Sequence, residues 1–303
     1  MKQLSEFRSH LYCLLTIAIW STLEVVGKLL GTSVSPYAIT AWRFLIGGLV
    51  ILPFALRNRG DIKLGLKGIA HLSALGILNV CLAMLILQLS IHYGKASVSA
   101  VIISVNPLFV AMFAMLLLKE KMGIAQILGL ILGVTGIVIL VLGEVEMRNV
   151  RYLNLPLGIG LAIVAALAFG TYTVLTRAAV ARYGNLLSNS TSFLAGSISL
   201  FAYNIIAGEQ LTIQPTLPNL LLAGYLGLIL TGLAYLLYFE GMKRIGAGKA
   251  SMYFFTKPLI STFLAWMLLG ETLRASQLAA VVLIVSAMNL PRLQNLFSKG
   301  TSH

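Results

Sequence analysis

Two ionisable side chains, Glu24 and Lys257, lie near the middle of long apolar stretches of the sequence. An ionised group inside a lipid bilayer is costly and is usually retained because it binds something or carries charge. A carboxylate and an ammonium group can bind the two ends of a zwitterion, and burial makes a carboxylate able to carry a proton. Alternatively, Glu24 pairs with Lys257, or with Lys28 one turn further on, and only holds helices in register.

Other polar and aromatic side chains in these stretches are candidates for contact with the same ligand. They are Asn79, Asn106, Trp20, Tyr172, Tyr235 and Tyr253. The alternatives are hydrogen bonds between helices for the amides, and packing or an interfacial position for the aromatic rings. Four further residues are predicted to have gating or structural roles: Arg43, Lys28, Pro107 and Pro258. A proline inside a helix loosens the carbonyl four residues back, here that of Ile103 or Phe254, and in lipid this carbonyl needs another partner.

The composition is that of a membrane protein, since 58% of the 303 residues are hydrophobic and only 10% are charged. Runs of about 20 apolar residues, the length that spans a bilayer as a helix, recur along the whole chain. Ten spans are predicted, at 11–30, 36–56, 68–90, 97–118, 124–142, 157–179, 187–207, 218–239, 248–269 and 274–290.

The net charge of +13 is explained by membrane topology. Between the predicted spans, about fifteen Lys and Arg residues fall on one side and about four on the other. The basic side is predicted to be cytoplasmic and to hold both termini, and the location to be the inner (plasma) membrane. Binding to nucleic acid is not needed to explain the charge.

The sequence repeats itself. Ser99–Met122 matches Ala250–Leu273 after a shift of 151 positions, and the first span matches the sixth after a shift of 149. The matched pairs include Pro107 and Pro258, Leu108 and Leu259, Glu120 and Glu271, Trp20 and Phe169, and Lys28 and Arg177. We therefore predict two repeats, residues 1–147 and 148–303, of five spans each. Because five is odd, the second repeat must cross the membrane in the opposite sense, with a site between the repeats near the midplane.

The chain resembles the drug/metabolite transporter superfamily in its EamA branch. The resemblance covers nearly the whole length and depends on several short motifs in order. These are Trp20-Ser-Thr, Lys28, Ser35-Pro36 and Arg43-Phe44; Ile103-Ser-Val-Asn-Pro107-Leu and Leu118-Lys-Glu120; and Gly246-Ala-Gly-Lys-Ala250, Pro258 and Gly270-Glu271-Thr272. It implies an all-α polytopic fold of ten helices, cytoplasmic termini, and export or exchange of small metabolites.

Two residues depart from the pattern of that family. A neutral residue is usual where Glu24 stands, and a carboxylate is common where Lys257 stands. Family-typical substrates are therefore not assumed for this chain. The family also has the carboxylates Glu120 and Glu271, which we predict to be structural and to cap the helices that follow them, the fifth and the tenth.

The expected function is secondary transport of a small polar metabolite, most specifically export of an amino acid or related compound, with proton coupling left open. Uptake of an organic solute, drug efflux, and a non-transport scaffold or sensor are the alternatives. No enzymatic activity, cofactor or metal is expected, because neither a phosphate-binding loop nor metal-ligand spacing occurs, and the two cysteines imply no disulfide framework. The predicted partners are the bilayer and the substrate; the choice between monomer and homodimer stays open.

Overall fold

The computed structural model describes residues 2–31, 33–58, 60, 62, 64–118, 124–145, 153–245, 252–272 and 274–286. Within these ranges, every regular element is a helix. In chain order the helices are α1 (Lys2–Trp20, then Leu23–Leu30), α2 (Pro36–Asn58), α3 (Leu66–Gly76, Ile77–Met84 and Leu85–Tyr93), α4 (Ala96–Ile103, then Asn106–Leu118), α5 (Ile124–Val145), α6 (Leu155–Tyr183), α7 (Asn185–Ala207), α8 (Leu217–Gly224, Tyr225–Leu233 and Ala234–Ile245), α9 (Met252–Thr256, then Lys257–Leu269) and α10 (Ala275–Ser286).

Six stretches are long and apolar enough to cross a membrane, counted over the residues that the structure describes. They are Phe7–Leu30, Pro36–Asn58, Leu66–Tyr93, Leu155–Tyr183, Asn185–Ala207 and Leu217–Tyr238. Shorter apolar helices occupy Ala96–Val110, Ile127–Gly136, Lys257–Leu269 and Ala275–Ser286. Large apolar side chains such as Leu49, Ile206 and Leu221 lie exposed on the outside of the bundle. Such a surface is suited to lipid, and the chain is a multi-pass membrane protein.

Three helices are broken where the sequence predicted continuous spans. The turn at Ser21–Thr22 interrupts α1, Ser104–Val105 interrupts α4, and in α9 a 3₁₀ turn precedes Lys257. Pro107 and Pro258 therefore do not lie well inside helices as predicted; each is the second residue of a new helical segment. Proline is well tolerated there, because the first backbone N–H groups of a helix have no intrahelical partner. Within the described part of the chain, the proline that does lie inside a continuous helix is Pro53 of α2.

Two helices contain a wider π-helical stretch, Ile77–Met84 in α3 and Tyr225–Leu233 in α8. The two stretches fall at matching positions of the predicted repeats. A π-helix shifts the backbone hydrogen bonds and leaves carbonyl groups available to other partners. One of these, the Leu230 carbonyl oxygen, accepts a hydrogen bond from Trp20 Nε1 at 3.0 Å. The widened stretch of α8 is thereby tied to α1 at its break.

Contacts between helices occur in reciprocal pairs. Helix α1 packs on α8 as α6 packs on α3, α2 packs on α8 as α7 packs on α3, and α9 packs on α1 as α4 packs on α6. Helices α2 and α7, which match each other in the repeat, also pack together, as do α4 and α9. This pattern is the one expected of the two predicted five-span repeats. The predicted boundary at 147–148 lies outside the described residues.

Glycine permits the closest of these contacts. A Cβ at Gly76 of α3 would overlap the Ser192 carbonyl oxygen of α7, and one at Gly196 would overlap the Gly76 carbonyl oxygen. The matching positions, Gly227 and Gly47, lie where α8 crosses α2. Small residues let helix backbones approach closely in a membrane, where dispersion contacts replace the hydrophobic effect as the packing force.

A buried polar clasp joins the α9–α10 loop to the start of α4. Glu271 accepts hydrogen bonds from Ala96 N at 2.9 Å, Ser97 N at 3.0 Å and Ser97 Oγ at 2.5 Å. Lys95 Nζ donates in return to the Thr272 carbonyl oxygen at 2.8 Å. Glu271 thus caps a helix, but the prediction that it caps α10 is wrong: the capped helix is α4, whose N-terminal amides need acceptors and attract negative charge. Glu120 lies outside the described residues.

Candidate functional site

Glu24 and Lys257 form a buried ion pair in which Lys257 Nζ donates a hydrogen bond to Glu24 Oε1. Glu24 has no exposed surface and Lys257 only 4%. Of the alternatives left open by the sequence, the structure therefore contains the pairing with Lys257 and not that with Lys28. The second carboxylate oxygen, Glu24 Oε2, is buried and has no hydrogen-bond partner in the described part of the chain.

Both charges lie where a helix resumes after a break. Glu24 is in the first turn of Leu23–Leu30, where the positive end of the helix dipole favours a carboxylate. Lys257 is the first residue of Lys257–Leu269, where the same dipole disfavours an ammonium group. Because α1 and α9 meet at their breaks, the carboxylate of Glu24 lies beside the ammonium group of Lys257 and compensates its charge. Ser261 Oγ further donates to the Ser21 carbonyl oxygen at 3.0 Å, across the same junction.

A small pocket of about 50 Å³ adjoins the ion pair. Most of its wall is apolar and aromatic, and it comes from both predicted repeats. The lining residues are Trp20, Leu23, Arg43, Phe44, Met84, Leu87, Ile103, Phe169, Leu230, Thr231, Tyr235, Phe254 and Lys257. Ligand sites in proteins typically combine such an apolar wall with a few polar groups that fix orientation.

The aromatic rings of the pocket pack in a continuous group. Trp20 lies 4.9 Å from Tyr235 and 5.6 Å from Phe254, measured between ring centroids. Phe193 extends the group behind the wall, at 4.9 Å from Tyr235 and 4.9 Å from Phe44. Three of these four contacts are edge-on and the Trp20–Phe254 contact is tilted. Such contacts favour particular side-chain orientations, so the wall is preorganised.

Arg43 reaches the pocket from α2 and is only 4% exposed. Its guanidinium carbon lies 4.6 Å from the centre of the Phe44 ring. Arg43 Nε is buried without a hydrogen-bond partner, and no carboxylate among the described residues lies within salt-bridge distance of it. The sequence predicted a gating or structural role for Arg43, which stays a prediction; the structure places Arg43 in the wall of the pocket.

Two of the predicted aromatic ligands lie elsewhere. The structure places Tyr172 in a separate cluster with Leu72 and Ala179, and its hydroxyl donates to Asn189 Oδ1 at 3.1 Å. Tyr253 precedes the pocket residue Phe254, but its hydroxyl lies 2.7 Å from His10 Nδ1, away from the lining. Helix periodicity could not separate these rings from Tyr235 because the breaks and π-helical stretches change which face a residue occupies.

The two predicted amides, Asn79 and Asn106, are buried outside the pocket lining. Asn79 lies in the π-helical stretch of α3, and neither its Oδ1 nor its Nδ2 has a partner in the described part of the chain. Asn106 is the first residue of the second segment of α4 and has an unpartnered Oδ1. Asn106 occupies the position in α4 that matches Lys257 in α9. The helical segment that resumes in α4 therefore begins with a neutral residue, whereas the one in α9 begins with a charged residue.

Lys28 is placed at the end of α3. Its Nζ donates to the carbonyl oxygens of Ile91 at 2.8 Å, His92 at 3.2 Å and Gly94 at 2.6 Å. A cation at these last carbonyls satisfies groups that have no partner within the helix. Lys28 thus joins α1 to α3 away from the pocket.

Sequence reasoning missed much of the apolar lining, including Phe169, Met84 and Ile103. A signal for them was present in the repeat. Phe169 matches Trp20, Met84 matches Tyr235 after the shift of 151, and Ile103 matches Phe254. A pocket between the predicted repeats is expected to be lined by equivalent positions, so the predicted rings of Trp20 and Tyr235 each indicated a second residue.

Broken apolar helices around a buried ion pair define a multi-pass membrane protein with charged groups inside its helix bundle. Comparison with known proteins specifies the class. The model of the EamA-like transporter family matches residues 7–142 and again 156–290. An uncharacterised transporter of Clostridium kluyveri is 32% identical over 282 residues, which cover 92% of this chain and 91% of that protein. The uncharacterised inner membrane transporter YedA of Escherichia coli K12 is 26% identical, over 90% of this chain and 86% of its own.

A crystal structure of a protein that is 21% identical supports the fold, with a TM-score of 0.67 over 94% of this chain and 96% of that one. The chain therefore belongs to the EamA-like transporter family, within the drug/metabolite transporter superfamily, and is a membrane transporter. The resemblance inferred from the motifs is confirmed.

Proposed function

We propose that the protein is a secondary transporter of a small charged metabolite, with export of an amino acid or related compound as the specific candidate. The observation that supports this most is the buried Glu24–Lys257 pair, which joins helices of different predicted repeats beside the pocket. A pair used only for packing would add little stability, because apolar residues of similar volume usually stabilise a folded protein equally well or better.

The pair is itself the site in this proposal, opened by the substrate. A substrate ammonium group replaces Lys257 at Glu24, whose Oε2 already lacks a partner. A substrate anion compensates the ammonium group of Lys257 that is released. Since α1 and α9 meet at their breaks through this pair, its opening uncouples them and lets one set of helices rock against the other. A proton on Glu24 would release Lys257 in the same way, which is the route for proton coupling.

The proposed topology is ten crossings in two inverted repeats, with both termini in the cytoplasm of a cell with an inner membrane. The charge asymmetry between loops supports the orientation. The reciprocal helix contacts and the paired π-helical stretches support the repeat. The relative YedA, described as an inner membrane transporter, supports the location.

Reconstitution into liposomes tests the proposal. We expect flux of a member of a panel of labelled amino acids and organic cations, measured with and without a proton gradient. Glu24→Gln and Lys257→Met should each abolish that flux, because each removes one half of the pair that the substrate must open.

The double variant Glu24→Gln/Lys257→Met controls for folding, since it leaves no buried charge unpaired. It should elute as a monodisperse protein and still transport nothing. Near-normal flux in both single variants would contradict the proposed site, and a protein that moves no solute in any arm would favour a scaffold or sensor.

A further inference from the structure

The charges at the pocket do not cancel. Glu24, Arg43 and Lys257 carry formal charges of −1, +1 and +1 when ionised, which leaves one positive charge in excess. Glu24 Oε1 accepts a hydrogen bond from Lys257, and no carboxylate of the described residues lies within salt-bridge distance of Arg43, so we assign the excess to Arg43. Arginine stays protonated under all physiological conditions and cannot relieve its burial by losing a proton.

An unpaired guanidinium among aromatic rings is an unfavourable arrangement that an anion would correct. The charge of Glu24 acts on Arg43, but Glu24 is hydrogen-bonded to Lys257 and is not within salt-bridge distance of Arg43, and Arg43 Nε remains buried without a hydrogen-bond partner. The Phe44 ring face at 4.6 Å compensates part of the charge, but it accepts no hydrogen bond from the Nε–H group. The planar fork of donors on arginine matches the two oxygens of a carboxylate.

The rest of the pocket offers little else to a polar ligand. Trp20 Nε1 already donates to the Leu230 carbonyl oxygen, and Thr231 Oγ1 donates to the Leu226 carbonyl oxygen at 2.8 Å. Apart from Lys257 and the phenol of Tyr235, the remaining wall is made of aromatic rings and aliphatic side chains such as Leu87. A ligand that fills it needs an apolar body.

We infer that the site takes a small organic anion with an apolar body and one carboxylate, and that Arg43 binds this carboxylate directly. The inference rests on the pocket being the transport site of the proposed function, and it sharpens the substrate class. Bound as a monoanion, such a ligand brings the summed formal charge of Glu24, Arg43 and Lys257 to zero. A zwitterion leaves the excess positive charge in place, so this inference replaces the amino acid by an organic anion as the specific candidate and leaves transport through this pocket as proposed.

Three ligands of nearly equal size separate the contributions: 3-phenylpropanoate carries only the carboxylate, phenylalanine carries both groups, and 2-phenylethylamine carries only the amine. Binding to the purified full-length chain in detergent is measured by calorimetry and by the shift in unfolding temperature. We expect 3-phenylpropanoate to bind at least as tightly as phenylalanine, and the amine not to bind.

Variants of Arg43 then test the contact. Arg43→Gln should weaken 3-phenylpropanoate binding about tenfold to hundredfold, the usual effect of losing hydrogen bonds to a charged group. Arg43→Lys should fall between, because it keeps the charge and loses the fork. Lys67→Gln, which removes an exposed cation at the start of α3, should bind as the unmodified chain does.

Binding of the amine as tight as that of the carboxylate, binding of no member of the series, or carboxylate binding unchanged in Arg43→Gln would each overturn the inference. Flux assays on the same preparations keep the two proposals apart. If 3-phenylpropanoate binds in an Arg43-dependent way but no solute is transported, the proposed transport function is rejected and the anion site stands. If another solute is transported at the same rate in Arg43→Gln as in the unmodified chain, the anion site is rejected and the transport function stands.

Discussion

The Glu24–Lys257 pair is a tertiary contact between residues 233 positions apart in the sequence. Each partner lies in the first turn of a resumed helix, where Glu24 is favoured by the dipole and Lys257 is not. The carboxylate is therefore stable at its position, and the ammonium group depends on it. Removing one partner should then cost far more than removing both.

A double-variant cycle measures this dependence. Glu24→Gln alone should lower the free energy of unfolding by about 3 kcal/mol, because it leaves the buried ammonium group of Lys257 uncompensated at a helix N-terminus. Glu24→Gln/Lys257→Met should recover most of that loss. Unfolding in mixed micelles provides the measurement, and equal losses in the single and double variants would show that the two charges are not coupled.

Sequence reasoning identified the residues of the pair but not the pairing. Glu24 and Lys257 were recognisable because ionised groups are rare inside apolar spans, yet their contact depends on how α1 meets α9. The sequence did not predict the break before Glu24, because Ser21 and Thr22 are neither glycine nor proline. Trp20 and Glu24, four positions apart in the sequence, consequently lie on opposite sides of a turn.

At the scale of helices, the repeat predicted from sequence gave the correct pairs of elements to compare. Breaks in α4 and α9 fall at matching positions, as do the π-helical stretches of α3 and α8. What the sequence could not give was their geometry. Proline signalled a disturbance in α4 and α9, but whether a helix bends at proline or restarts there depends on the neighbouring helices that satisfy the backbone.

Gly76 and Gly196 should be the least tolerant glycines of the bundle. Gly196→Ala would press a methyl group onto the Gly76 carbonyl oxygen, where backbone rather than a flexible side chain must move. Overpacking of this kind costs about 1–3 kcal/mol. We expect a lower unfolding temperature and a lower yield of monodisperse protein.

Gly160→Ala and Gly224→Ala provide matched controls within helices, since a Cβ at either site meets nothing within 4 Å. Alanine is the better helix former by about 0.5–1 kcal/mol, so these variants should be neutral or slightly more stable. Equal destabilisation of all the variants would mean that helix propensity, and not the α3–α7 contact, determines the result.

For the whole molecule, the clasp around Glu271 bears on access to the pocket. It links α4 of one predicted repeat to the α9–α10 loop of the other, and the predicted topology places it on the non-cytoplasmic side. The clasp is buried and satisfied, with Glu271 only 3% exposed. We interpret it as the closure of that side in this conformation.

Glu271→Ala should therefore open the pocket toward the non-cytoplasmic side. A thiol introduced by Thr231→Cys, in a chain with Cys13→Ala and Cys81→Ala, reports access through its labelling by a membrane-impermeant reagent. Losing hydrogen bonds to one charged group should raise the labelling rate from that side about tenfold or more. Glu209→Ala, which removes a carboxylate on the same predicted side, should leave the rate unchanged; an equal rate in both variants would exclude the clasp as a gate.

Phe44 and Phe193 occupy matching positions of the two predicted repeats and touch each other, with their ring centroids 4.9 Å apart. Equivalent residues in contact must lie on the pseudo-symmetry axis. If the repeats exchange their conformations when access alternates, that exchange maps the ring pair onto itself, so its separation is the same at both ends of the cycle. The two rings would then keep their contact throughout the transport cycle, and the path of the substrate would lie to one side of them.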